Sequence, residues 1–115
     1  MEFSIFKVET FIPEDYVKEL RKNLNDIGAL AIGGNYDYCM TVSKVIGSWR
    51  PLKGADPFEG EIGEICEAHE CKVEFCCRRE IIKEAVETIK KVHPYEIPVI
   101  NIVPILSAET IVKFV

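Results

Sequence analysis

Residues 71–78 alternate in character with a period of two. Cys71, Val73, Phe75 and Cys77 fall on one face; Lys72, Glu74, Cys76 and Arg78 fall on the other. This is a strand with one side on a core. It runs directly into Ile82, Ala85, Val86, Ile89 and Val92, which recur at helical spacing. The pattern predicts a helix over about 79–92, stopping before Pro94, because the residue ahead of a proline is pushed out of the helical region.

A second strand–helix pair opens the chain. Phe3 to Phe11 is rich in aromatic and β-branched residues and reads as a strand. Pro13, Glu14 and Asp15 then mark a helix start, since proline lacks an N–H that is not needed there and acids face the positive helix end. Val17, Leu20, Leu24 and Ile27 keep helical spacing, and Gly28 closes a helix over about 13–28. Cys39 to Val45 and Ile46 to Arg50 read as extended, either as a strand or as a strand with a bend near Gly47. Pro51 to Gly63 is a loop by its Pro and Gly punctuation. Val99 to Ile105 is a last strand, and Pro104 places it at an edge or a strand end. The order β-α-β-β-α-β predicts an α+β, ferredoxin-like fold: a four-stranded antiparallel sheet with both helices on one face.

The 115 residues are expected to form a single domain over 1–115, with a core that needs neither disulfide nor metal. A net charge of −5, with Lys and Arg in no clustered block beyond isolated pairs such as Arg78-Arg79 and Lys90-Lys91, argues against nucleic acid and anionic membrane surfaces as partners. No apolar run approaches the ~20 residues of a membrane helix. The acidic start Met1-Glu2-Phe3 has no leader character, so a cytoplasmic location is expected. An odd count of 5 cysteines in such a chain implies reduced thiols.

Three segments carry a resemblance. They are Gly34-Asn35-Tyr36-Asp37, the run Arg50-Pro51-Leu52-Lys53-Gly54-Ala55-Asp56-Pro57-Phe58, and His93-Pro94-Tyr95-Glu96-Ile97-Pro98. Together they resemble the YqfO-like domain, found alone or inserted in NGG-interacting-factor-type proteins related to a type 2 GTP cyclohydrolase. The last segment is similar to one in the CutA family, and the fold is like that of PII signalling proteins. The resemblance implies a CutA/PII-like fold and a homo-oligomer, with a trimer favoured. In the larger relatives the dinuclear metal site lies in flanking domains whose ligands this sequence lacks.

The candidate ligand or interface residues are Asn35, Tyr36, Asp37, Arg50, Phe58, His93, Tyr95 and Glu96. They sit in turns and loops held by Pro51, Pro57, Pro94 and Pro98, and binding groups concentrate on loops fixed by a rigid scaffold. Arg50 can grip a carboxylate or phosphate with two parallel bonds. The mixed donor and acceptor set suits a small polar ligand or a subunit seam, with Asp37, Arg50 and His93 expected to share one site. Cys66, His69 and Cys71 are the metal candidates, since thiolate and imidazole suit soft metals, but their spacing matches no familiar zinc motif. No Ser-His-Asp order, phosphate loop or HExxH motif is present. The expected function is therefore a non-catalytic oligomeric binding or regulatory module that requires no cofactor. The alternatives are a metal-dependent hydrolase of the cyclohydrolase type and a CutA-like binder of divalent metal.

Overall fold

A computed structural model describes residues 2–108. Strand β1 (Ile5–Ile12) leads through a 3-10 turn (Glu14–Tyr16) into helix α1 (Val17–Asp26). Strands β2 (Thr41–Trp49) and β3 (Cys66–Arg78) follow, then a 3-10 turn (Arg79–Ile81), helix α2 (Ile82–Val92) and strand β4 (Ile100–Ile105). The helix expected over 13–28 thus begins with a tight turn. Its end is closed by Gly28 at φ +80°, with Ala29 N–H donating to Leu24 O and Gly28 N–H to Asn25 O. That double bond needs a left-handed residue, which glycine adopts without steric cost.

The strands form a 4-stranded sheet in the order β2-β3-β1-β4, every neighbouring pair antiparallel. The expected architecture is present: an α+β fold with a four-stranded antiparallel sheet and two helices. Pairs such as Val8–Phe75, Thr10–Val73 and Ile12–Cys71 put one face of β1 and β3 in the core. Leu20 and Leu24 of α1 and Ala85 and Ile89 of α2 cover that face. Pro104 lies on β4, an edge strand, where its missing N–H breaks no ladder bond.

One expectation is corrected. The strand read over 71–78 begins five residues earlier, at Cys66, because residues 66–70 pair with β2. Of the two readings of the stretch around Gly47, the plain strand holds: β2 pairs continuously with β3 from Thr41 to Trp49.

Chain direction then decides what can meet. β1 and β2 run toward the end of the sheet that holds Ile12 and Trp49, and β3 starts there. Helices α1 and α2 run antiparallel to the strands that precede them, so α2 delivers His93 to this same end. The opposite end holds residues 33–38, ahead of β2.

Candidate functional site

At the Trp49 end, two connections close over the edge of the sheet. The first is the loop Pro51 to Gly63. It is tied down by the Trp49 indole N–H donating to Glu59 O at 3.0 Å and by Gly63 N–H donating to Pro51 O at 2.7 Å. The second is the corner after α2, where Pro94 and Pro98 hold the backbone. The Glu96 carboxylate joins the two by accepting from Asp56 N–H at 2.9 Å.

His93 anchors that corner. Its Nε2 lies 2.6 Å from Phe11 O on β1, and its Nδ1 accepts from Tyr95 N–H at 3.2 Å. This pairing puts the ring proton on Nε2, which donates to the carbonyl. His93 is buried, and burial lowers its pKa below the ordinary 6.5 despite the Phe11 bond and the negative charge of Glu70. With both nitrogens occupied by the backbone, the imidazole is a structural bolt.

Between the two connections lies a cleft of about 420 Å³, within the size range of small-molecule sites. Its walls are mainly apolar and aromatic: Phe11, Trp49, Pro57, Phe58, Tyr95, Ile97 and Val99. The Trp49 and Tyr95 rings lie 5.6 Å apart, and Phe58 and Tyr95 6.0 Å. Deep in the cleft is Glu70, a carboxylate only 7% exposed. Its Oε2 accepts from the Tyr95 hydroxyl at 2.7 Å. Burial, then the bond to Glu70, holds the Tyr95 phenol well above its ordinary range, so it stays a donor. Glu70 lies over Gly47, where a Cβ would overlap its carboxylate.

The candidate residues divide into two groups. Phe58, Tyr95 and Glu96 line the cleft. His93 stands directly behind, its ring 4.7 Å from that of Tyr95. Arg50 is at the same end but exposed, outside the lining, and its guanidinium has no partner among the described residues. Asn35, Tyr36 and Asp37 are at the far end of the sheet, where Asp37 Oδ2 accepts from the Asn25 side-chain amide at 3.2 Å. Within one chain Asp37 therefore does not share a site with Arg50 and His93, because β2 carries them to opposite ends.

The metal candidates separate too. Cys66 is on the sheet face away from the helices, while His69 and Cys71 are on the helix side. Cys66 instead donates to Glu59 at 3.8 Å, and Cys71 is buried with its thiol pKa raised by that burial. Among the described residues no group of three His, Cys, Asp or Glu side chains stands together to hold a metal. None of the described helices is long and apolar enough to cross a membrane.

Sequence reasoning missed Glu70, Trp49 and Gly47. Glu70 reads as one more polar residue ahead of a strand. The available signal was its place one residue before the alternating run, which puts it on the strand's open face.

Comparison with known proteins follows the same lines. Residues 61–113 match the family model described as CutA1 divalent ion tolerance protein. The chain is 36% identical over 99 residues to a GTP cyclohydrolase 1 type 2 homolog of Bacillus subtilis, covering 86% of this chain and 26% of that protein. It is 38% identical over 100 residues to the homolog of Staphylococcus aureus, covering 87% of this chain and 27% of that one. The crystal structure of a Bacillus cereus protein related to NIF3 superposes with a TM-score of 0.78 at 27% identity, over 91% of this chain and 26% of that chain. CutA1 from Shewanella sp. SIB1 superposes with a TM-score of 0.70 at 17% identity, over 93% of this chain and 86% of that chain; at this identity the likeness is one of fold. The chain spans about a quarter of the length of the curated relatives it matches.

Proposed function

We propose that this chain, a CutA-like domain homologous to the insert region of NIF3-type proteins and GTP cyclohydrolase 1 type 2 homologs, is a non-catalytic binding and assembly module. In this reading it works as one domain in the cytoplasm, associates with itself as a trimer, and takes a small ligand at the Trp49 end of its sheet. The observation that carries the reading is the cleft itself. It is a preformed apolar cavity with convergent polar groups, which is the usual anatomy of a ligand site. The groups that build it are fixed by backbone bonds through His93, Glu96 and Trp49, so the cavity does not depend on a ligand to form.

The cyclohydrolase name belongs to proteins of which this chain covers about a quarter, and the divalent-ion name to a family matched over residues 61–113. Both would require a set of metal ligands. The candidates Cys66, His69 and Cys71 lie on two faces of one strand, which favours ligand binding over either metal reading.

Sedimentation equilibrium at micromolar concentration is expected to give about three times the 13.1 kDa chain mass. A monomer at that concentration would overturn the assembly half of the proposal. The binding half is read separately from Trp49, the only tryptophan in the chain. Its fluorescence and indole N–H signal are expected to respond to small molecules that enter the cleft.

A further inference from the structure

We propose that the cleft at the Trp49 end selects an organic cation: an ammonium or guanidinium group carried on an apolar stem. The proposal rests on the reading of this cleft as a ligand site and names the chemistry that would fill it.

Charge gives the first argument. Three carboxylates, Glu59, Glu70 and Glu96, contribute to the lining, and no Lys, Arg or His does. Glu70 is the decisive one. It is 7% exposed, and among the described residues its hydrogen-bond partner is the neutral Tyr95 hydroxyl alone. None of the ion pairs among the described residues includes it. A carboxylate taken out of water is normally compensated by a cation, and a phenol supplies one hydrogen bond but no charge. The compensating charge is therefore expected from outside the chain.

Aromatic geometry gives the second. Trp49, Tyr95 and Phe58 form a chain of rings with centroids 5.6 and 6.0 Å apart, tilted by 50° and 41°. Ring faces are negative, and an organic cation within about 6 Å of a ring centre is attracted to them. The same walls welcome the apolar stem of such a ligand. An anion would meet three carboxylates. A neutral guest would leave Glu70 uncompensated. For a divalent ion, no group of three His, Cys, Asp or Glu side chains among the described residues stands close enough together to hold it.

Gly47 completes the design. With no side chain there, Glu70 can lie flat over β2 at the base of the cleft.

The test is a series of one shape and three charges: n-butylammonium, n-butanol and butyrate, at matched sodium chloride. Binding is read from the indole N–H cross-peak of Trp49, which reports on this cleft alone. The ammonium is expected to bind saturably and at least about tenfold more tightly than the alcohol, with no saturable shift from butyrate. Glu70→Gln is expected to remove most of that preference, and Glu87→Gln, which removes an exposed carboxylate of α2 outside the cleft, to retain it. Equal binding of ammonium and alcohol, or tighter binding of butyrate, overturns the cation proposal and leaves the cleft as a ligand site. Silence of the Trp49 signal to all three, in protein whose spectrum shows it folded, overturns the reading of the cleft itself.

Discussion

His93 joins three chain segments through one ring: the end of α2, the Phe11 carbonyl on β1 and the Tyr95 amide. Removing it leaves a part-buried carbonyl without its donor, which costs about 1–3 kcal/mol. His93→Ala is expected to lose that much in urea denaturation. The ring also brings a pH dependence. Its folded pKa is depressed, so the unfolded chain binds the proton more readily. The stability it contributes is full above about 6.5, the ordinary value, and is lost as the pH falls from there through the folded pKa. Stability of the natural protein should fall between pH 7 and pH 5, and His93→Ala should flatten that slope; an unchanged slope would assign it elsewhere. Cysteines behave according to burial. All five are free, but only Cys76 is exposed, while burial pushes the Cys77 thiol up to about 11 and raises Cys71 as well. A thiol reagent at pH 8 is expected to label Cys76 first and to reach Cys71 and Cys77 only on unfolding; fast labelling of all five would contradict this packing.

Among the elements, the face of the sheet away from the helices differs from the apolar patch that a one-sided sheet suggests. Its centre is an ion-pair lattice: Lys7 with Glu74 at 2.7 Å, Lys72 with Glu74 at 3.4 Å and with Glu9 at 3.6 Å. The bond to Lys7 is the largest of the influences that hold the Glu74 pKa below its ordinary 4.5. Such a face can meet water without another subunit, so it does not by itself demand assembly. The loop between β2 and β3 is the element that makes the cleft, and the Glu96–Asp56 bond clips it to the corner after α2. Glu96→Ala should cost only about 1 kcal/mol, as an exposed hydrogen bond would. Its clearer effect should be on the loop. Trypsin is expected to cut after Lys53 several-fold faster in the variant, while cleavage within α1 stays unchanged. Equal rates would mean the loop is held by Trp49 and Pro51 alone.

Over the whole molecule, the two most exposed aliphatic side chains among the described residues, Ile97 at 81% and Ile65 at 74%, are both at the cleft end. Large apolar side chains left this exposed are candidates for an interaction surface. If the trimer forms through this end, Ile97→Glu should shift sedimentation toward the monomer, whereas Glu9→Gln on the open face should not. The opposite result would return the seam to the sheet face. The placement also sets the cleft beside the seam, so ligand binding and assembly would be linked: butylammonium should then raise the trimer fraction of a weakened variant.

What the amino-acid sequence determined by itself was everything governed by local period and turn chemistry. The alternation through Cys71–Arg78, the helical spacing from Val17 to Ile27 and from Ile82 to Val92, the Gly28 cap and the edge proline Pro104 are readable because neighbours along the chain decide them. Their order then limits the topology to the ferredoxin-like sheet. The fixed loops that carry Phe58, Tyr95 and Glu96 were legible for a similar reason, since prolines beside these residues signal them. Tertiary structure alone decided which loops meet. Strand direction sends Asn35, Tyr36 and Asp37 to one end and Arg50 and His93 to the other. The two-residue period puts Cys66 on the face opposite His69 and Cys71. Glu70 finds room for its carboxylate because Gly47, twenty-three positions away in sequence and diagonal to it on the neighbouring strand, has no side chain in that space. Burial is a sum over contacts from distant parts of the chain, and no local pattern records it.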